Sequence, residues 1–175
     1  MSAAIVLAMH GAPPSDFPRQ EVGEFFALQG RLKRGQPEER AALQARHDEI
    51  EAKMRAWPRR DGTDAYWAGS QALAEALRQA TELTVLVGFH EFCAPSIDEV
   101  LDEAVRLAPE KVVVVTPMLT RGGEHSEQDI PAAIERARVR CPQATFEYAW
   151  PYAPEEMAAF FAAHIRPLVE RTGLA

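Results

Sequence analysis

The sequence predicts an α/β fold: a four-stranded parallel sheet flanked by helices on both faces, with a helical insertion after the first strand. Four short apolar runs, rich in β-branched and aromatic residues, have the length of buried strands. Longer segments between them carry apolar residues at helical spacing. This alternation favours a parallel sheet, because each connection then crosses one face of the sheet. The strands are predicted at residues 4–9, 84–89, 111–116 and 145–149.

Helix breakers and caps place the helices. A first amphipathic helix is expected from Glu21, and Gly35-Gln36-Pro37 is expected to end it. A charge-rich, exposed amphipathic helix is predicted over residues 38–57, since proline suits a first helical position. The remaining helices are predicted to begin at Gln71, Pro95, Ser126 and Pro154.

The stretch of about 20–70 does not fit the alternation of strands and helices. It is interpreted as a helical insertion between the first strand and the helix that should pair with that strand. A length of 175 residues suffices for one domain with a sizeable core. We therefore predict a single domain over residues 1–175 that carries this insertion.

Composition narrows the possible functions. The chain is 47% hydrophobic and 26% charged, as is typical of a globular protein. Its net charge of -7 argues against nucleic-acid binding. The start of the sequence lacks a basic n-region, and no apolar stretch reaches the length of a membrane span, so a cytoplasmic protein without membrane contact is expected. Cys93 and Cys141 form no CxxC pair and are interpreted as reduced thiols.

Two histidines follow the ends of predicted strands. His10 comes directly after the first strand, and His125 follows the third strand across the turn Arg121-Gly122-Gly123-Glu124. Open α/β sheets place their ligand sites at the carboxyl ends of the strands. Two imidazoles at one edge of a sheet indicate either a metal site or an acid–base pair.

The second strand ends in His90-Glu91 and adds a third functional position to this edge. Side chains alternate along a strand, so only one of His90 and Glu91 is expected to face the cleft. Two histidines and one carboxylate suit a divalent first-row metal. The same set equally suits proton removal by the carboxylate.

Asp129 lies four residues after His125, which is about one helical turn. Its carboxylate could accept the second ring N–H of His125 and so select the tautomer. The alternative, held equal, is that an acidic residue in the first turn of a helix simply complements the helix dipole.

Three motifs of the sequence resemble the class II tetrapyrrole chelatases, the family of sirohydrochlorin cobaltochelatases and ferrochelatases. The first is a strand that ends in His10-Gly11, and the second is the segment 88–99 with its Glu-x-x-x-Pro-Ser pattern. The third and most specific is Gly-x-His-x-x-x-Asp-Ile-Pro at residues 123–131. The resemblance covers roughly residues 4–12 and 71–168.

The resemblance implies a lyase-type metal chelatase that inserts a divalent metal ion (cobalt or iron, with nickel as a further option) into a tetrapyrrole such as sirohydrochlorin. Such a reaction belongs to the biosynthesis of cobalamin or sirohaem. In that family the residues at the positions of His10, Glu91 and His125 line the cleft, as ligands of the metal and as catalytic groups. The metal is a substrate, so no retained cofactor is expected. The sequence contains one chelatase half, which implies a homodimer around the tetrapyrrole.

Two features depart from the family. Ala12-Pro13 stands where Ser-Arg usually follows the His-Gly pair. The helical insertion is more similar to protohaem ferrochelatases, where the corresponding helices form a lip over the porphyrin. The carboxylates of such a substrate need basic partners. Arg121 is the main candidate, and Arg19 and either Arg59 or Arg60 are weaker ones.

Two other functions remain open from the sequence. The chain could be a metal or tetrapyrrole carrier without catalytic activity. It could also be a different α/β enzyme that uses His10 and His125 as an acid–base pair on a small anionic substrate.

Overall fold

A four-stranded parallel sheet forms the centre of the molecule. The computed structural model describes residues 3–34, 37–108 and 110–171, without the side chains of residues 37, 38 and 171. The strand order is β2-β1-β3-β4, and every pairing is parallel, which confirms the predicted α/β class. The strands are β1 (Ala3–Met9), β2 (Thr84–Phe89), β3 (Lys111–Val115) and β4 (Thr145–Tyr148).

Six helices surround the sheet within the described residues. None of them is long and apolar enough to cross a membrane. The break predicted at Gly35-Gln36 lies outside the described residues. The helices are α1 (Arg19–Arg34), α2 (Pro37–Arg55), α3 (Ala65–Thr81), α4 (Ile97–Leu107), α5 (Ile130–Arg140) and α6 (Pro154–Arg171).

Two helix starts differ from the sequence prediction by more than two residues. Helix α3 begins at Ala65 rather than at Gln71, because the side chain of Asp64 caps it and accepts the backbone N–H of Trp67. Before α5 the chain makes a π-helical turn over His125–Asp129, where a regular helix was predicted from Ser126. Single π-helical turns are often found at functional sites.

Alternate residues of β1 build two separate cores. Ala4, Val6 and Ala8 pack with residues of α4 and α5 on one face of the sheet. Ile5 and Leu7 pack with residues of the first three helices on the other face. The central strand is therefore covered on both sides, as a parallel strand in an α/β sheet requires.

Helices α1 and α2 occupy the part of the chain where the insertion was predicted. They contribute Phe25 and Leu28 from α1 and Ile50 and Met54 from α2 to the second core. Most other described side chains of α2 are exposed or partly exposed, in line with its charge-rich sequence. These two helices thereby form part of the core on this face of the sheet.

Candidate metal centre

The carboxyl ends of β1 and β2 run side by side beyond the last paired residues of the sheet. Met9 pairs with Phe89 in the parallel register. The pairing continues past this point, because the backbone N–H of His90 donates to the Met9 carbonyl at 2.8 Å and that of Glu91 donates to the His10 carbonyl at 2.8 Å. His10, His90 and Glu91 are thus fixed at one edge by main-chain contacts.

Three imidazoles meet at this edge. The ring centroid of His125 lies 4.6 Å from that of His10 and 4.2 Å from that of His90, and the outer two rings are 6.5 Å apart. The structure therefore brings His10, Glu91 and His125 together, as the positions of the strand ends predicted. It also adds His90 to the same group.

The structure differs from the expectation that only one of His90 and Glu91 faces the site. Strand β2 ends at Phe89, so the alternation of side chains no longer applies to the two residues that follow. The chain bends sharply there, and Phe92 adopts a left-handed conformation with φ of 63°. Both side chains consequently reach the histidine cluster from one short loop.

His90, His125 and Asp129 form the tightest group of possible metal ligands in this cluster. Their ligand atoms lie within 4.8 Å of one another, and all three residues are partly buried. Nδ1 of His125 lies 2.7 Å and Nε2 of His90 lies 3.3 Å from the same carboxylate oxygen, Oδ2 of Asp129. The Nδ1–H of His125 donates to this carboxylate, which leaves Nε2 with a free lone pair for a metal.

Glu91 belongs to the other side of the cluster, beside His10. Its Oε2 is 4.0 Å from Nε2 of His10. Nδ1 of His10 is 2.9 Å from the carbonyl of Gly11 and must carry the proton, since a carbonyl only accepts. The lone pair of His10 is therefore on Nε2, next to Glu91. The site thus contains two histidine–carboxylate pairs, His10 with Glu91 and His125 with Asp129, and His90 is a third imidazole beside them.

Burial favours the neutral form of one of these imidazoles. The pKa of His90 is lowered, first by desolvation and then by the neighbouring His125. A lowered pKa keeps the ring neutral at neutral pH, and only the neutral ring offers a lone pair to a metal.

Gly11 allows the two loops of the site to approach closely. Its φ is +102°, and a Cβ atom at this position would lie 1.9 Å from the carbonyl oxygen of Glu91. Any other residue would have to push the β2 loop away from β1. The glycine after His10 is thus required by the distance between the loops that carry His10 and Glu91.

The buried side chain of Arg59 binds the loops that follow β1 and β2. Its side chain is 6% exposed and forms an ion pair with Asp64, which is 1% exposed, at 2.5 Å. The guanidinium also donates to the carbonyls of Ala12, after β1, of Met54, in α2, and of Phe92, after β2. Arg59 is therefore not the ligand-binding arginine that its position in the sequence suggested, and sequence reasoning missed this role.

Arg55, in the last turn of α2, holds the same β2 loop. It donates to the carbonyls of His90 at 2.5 Å and Cys93 at 2.7 Å, and it pairs with Glu51. Two arginines from the region between β1 and α3 thus position the loop that carries His90 and Glu91.

Arg121 is placed differently from Arg59. Its side chain is 76% exposed, and its Nε lies 3.6 Å from Oε1 of Glu127. The guanidinium lies 5.9 Å from the centre of the Trp150 ring. It borders an open cavity of about 730 Å³ whose other walls are mainly apolar. The structure leaves this cation accessible to a ligand.

Comparisons with known proteins point to one family. A family model described as CbiX matches residues 59–166, which include His90, Glu91 and His125 but not His10. A sirohydrochlorin cobaltochelatase of Methanothermobacter thermautotrophicus is 37% identical over 59 residues, which is 34% of this chain and 41% of that protein. A sirohydrochlorin cobaltochelatase of Priestia megaterium is 37% identical over 70 residues, which is 40% of this chain and 22% of that protein.

The match in three dimensions extends over the whole chain. The crystal structure of a CbiX protein from Marinobacter aquaeolei VT8 has a TM-score of 0.56 and 19% sequence identity, and the alignment covers 99% of both chains. At this identity the likeness concerns the fold. The chain spans less than half the length of the two curated relatives described above.

Proposed function

The chain belongs to the CbiX family of class II tetrapyrrole chelatases, and from this premise we propose that it inserts a divalent metal ion, cobalt or iron, into a tetrapyrrole such as sirohydrochlorin. The observation that carries the proposal is the cluster of three imidazoles and two carboxylates at the carboxyl edge of the sheet. The reaction would be of the lyase type.

Insertion exchanges two pyrrole N–H protons for one metal ion, so the site needs both metal ligands and proton acceptors. We propose that His90, His125 and Asp129 hold the incoming metal, because their ligand atoms lie within 4.8 Å of one another. His10 and Glu91 would accept the leaving protons, because both present acceptor atoms on the adjacent side of the cluster. The metal is a substrate, so this ligation must be open enough to release it.

The surroundings of the cluster suit a flat ring with acidic substituents. Phe26 is 48% exposed and lies 6.0 Å from Phe92, whose ring is in turn 6.0 Å from that of His10. Tyr66 is 38% exposed and accepts the backbone N–H of His10. Arg121 would bind a carboxylate of the macrocycle. A second copy of the chain would cover the open face, so that a homodimer encloses the substrate.

The activity is tested with the purified full chain, Co²⁺ and sirohydrochlorin under anaerobic conditions, followed by the visible spectrum. Insertion faster than the reaction without protein is expected, and Fe²⁺ and protoporphyrin in matched reactions identify the preferred metal and ring. Binding of metal or macrocycle with no acceleration would instead indicate the carrier function. Activity on a small anionic substrate in the presence of chelators would support the acid–base alternative.

The choice of ligands is tested by calorimetric titration of Co²⁺ without tetrapyrrole. His90→Ala is expected to weaken Co²⁺ binding by more than roughly 10–100-fold, the range seen when a metal site loses only a group that supports a ligand. Glu91→Gln is expected to leave Co²⁺ affinity nearly unchanged and to lower the insertion rate. The reverse pattern would show that the set read from the sequence, namely His10, Glu91 and His125, holds the metal. Glu124→Gln, exposed beside His125, serves as the control.

A further inference from the structure

The π-helical turn before α5 sets the direction of two groups in the candidate site. His125 and Asp129 stand at its two ends, whereas α5 buries Ile130 and Ile134 in the core. Hydrogen bonds in a π-helical turn span five residues instead of four, so the turn contains one extra residue. One residue corresponds to about 100° of rotation around a helix axis. The turn therefore fixes how His125 and Asp129 are rotated relative to the buried face of α5.

The carbonyl group of Ser126, inside this turn, depends on a donor from outside the helix. The N–H of Ile130, four residues further on, donates to the carbonyl of His125 instead. The residue five positions further on is Pro131, and proline carries no N–H. Ser126 is 0% exposed, so solvent does not reach its carbonyl. Because a buried carbonyl without a donor destabilises the conformation that contains it, the turn needs a donor from another element.

Tyr148, the last residue of β4, supplies this donor. Its hydroxyl donates to the carbonyl of Ser126 at 3.1 Å. The phenol ring stacks on Trp150, with 5.8 Å between the ring centroids, and the indole N–H of Trp150 donates to the carbonyl of Met118 at 3.0 Å. Burial raises the pKa of Tyr148 above its usual range, so the hydroxyl keeps the proton that it donates.

We propose that Tyr148 is a positioning residue of the candidate metal centre: its hydroxyl holds the π-helical turn and thereby directs His125 and Asp129 towards the metal. The ring of His125 lies 4.6 Å from that of His10 and 4.2 Å from that of His90. If the turn relaxed by one residue to α-helical geometry, the rotation would take His125 out of this cluster. The inference rests on the metal insertion proposed above.

Tyr148→Phe removes only the hydroxyl, and Tyr152→Phe is the matched control. The hydroxyl of Tyr152 also donates to a carbonyl, that of Thr116 directly after β3, at 2.7 Å, and both tyrosines are partly buried. Each variant therefore loses one hydrogen bond, but only Tyr148→Phe loses the bond to the π-helical turn. In calorimetric titration Tyr148→Phe is expected to weaken Co²⁺ binding by roughly 10-fold, the lower end for a group that orients a metal ligand, and Tyr152→Phe to leave it unchanged.

Nitrogen-15 NMR of the histidine rings gives a readout that depends neither on metal nor on activity. The wild type is expected to show His125 as the Nδ1–H tautomer, because Nδ1 lies 2.7 Å from the carboxylate of Asp129. Tyr148→Phe is expected to add the signal of the Nε2–H tautomer, whereas Tyr152→Phe keeps the wild-type pattern. Thermal unfolding checks that both variants are folded. A Tyr148→Phe variant with the wild-type tautomer and the wild-type Co²⁺ affinity would overturn the proposal, as would equal effects of the two variants.

Pro131→Ala tests whether the missing main-chain donor is the reason that the turn needs Tyr148. Alanine supplies an N–H five residues after Ser126, so the carbonyl there no longer depends on the hydroxyl alone. The loss of Co²⁺ affinity caused by Tyr148→Phe is therefore expected to be smaller in the Pro131→Ala chain than in the wild type. Equal losses in the two chains would contradict the proposal.

The insertion of Co²⁺ into sirohydrochlorin relates the position of His125 to the reaction. Tyr148→Phe is expected to lower kcat and to leave the KM for sirohydrochlorin unchanged, because the hydroxyl acts on the metal ligands and not on the macrocycle. A wild-type chain without insertion activity, whose His125 tautomer still responds to Tyr148→Phe, would refute the chelatase proposal alone. An active wild type whose tautomer and Co²⁺ affinity do not respond to Tyr148→Phe would refute the role of Tyr148 alone.

Discussion

Replacing His125 with alanine is expected to lower the rate of metal insertion by at least about 100-fold, the lower end of what a positioned acid–base or ligand group contributes. His125 is the central ring of the cluster, within 4.6 Å of His10 and 4.2 Å of His90 by ring centroids. Its Nδ1 donates to Asp129 at 2.7 Å, so its Nε2 carries the lone pair that the proposed metal ligation requires. Alanine removes this ligand and leaves the Asp129 carboxylate without its closest partner.

The measurement is the initial rate with Co²⁺ and sirohydrochlorin, together with thermal unfolding to show that the variant is folded. Gln128→Ala is the matched control, because Gln128 is exposed on the same π-helical turn. The control is expected to keep the wild-type rate. A His125→Ala variant with an undiminished rate would rule out the cluster as the place of metal insertion.

Arg59→Ala is expected to destabilise the protein by about 3–5 kcal/mol, the usual cost of leaving one member of a buried ion pair uncompensated. Asp64 is 1% exposed and would lose the guanidinium that neutralises it. The carbonyls of Ala12 and Phe92 would lose a donor in the same step, which releases the loops after β1 and β2. For a chain of this size the melting temperature should fall by roughly 6–20 °C.

Urea and thermal unfolding measure this effect, and Arg60→Ala is the control because Arg60 is exposed next to it. The control is expected to change stability by no more than about 0.5 kcal/mol. Replacing both partners, as Arg59→Met with Asp64→Leu, should recover part of the loss, since no buried charge is then left unpaired. Equal stability of Arg59→Ala and wild type would show that the loops are held by other contacts.

Much of the fold could be predicted from the sequence because its signals are local. The runs that became β1 to β4 are short and apolar, and helical spacing fills the segments between them. The helix at Ile97 was foreseen from its first residues, and Ser96 and Glu99 do cap it reciprocally. Helix α3 was predicted to start too late, because its cap, Asp64, is held in place by the buried Arg59, a contact that the local sequence pattern does not show.

The candidate site, too, was predicted only in part from the sequence. His10 and His125 were found because each directly follows a strand or its turn, and parallel strands end at one edge. The sequence could not predict that both His90 and Glu91 face the site, because this depends on where β2 ends and on how the following loop bends at Phe92. Arg59 was considered as a partner for substrate carboxylates, because nothing near it in the sequence shows that it is buried and bound to three separate segments of the chain.

The sequence by itself determined the order of strands and helices, the edge of the sheet that carries the site, and the two histidines at that edge. These follow from periodicity, breakers and strand ends, which act over a few neighbouring residues. Only the tertiary structure decided that His90 joins His125 and Asp129, that Glu91 stands with His10, and that Arg59 is buried beneath both loops. Those outcomes depend on the register of β1 against β2 and on contacts between residues far apart in the chain, and no local pattern records such contacts.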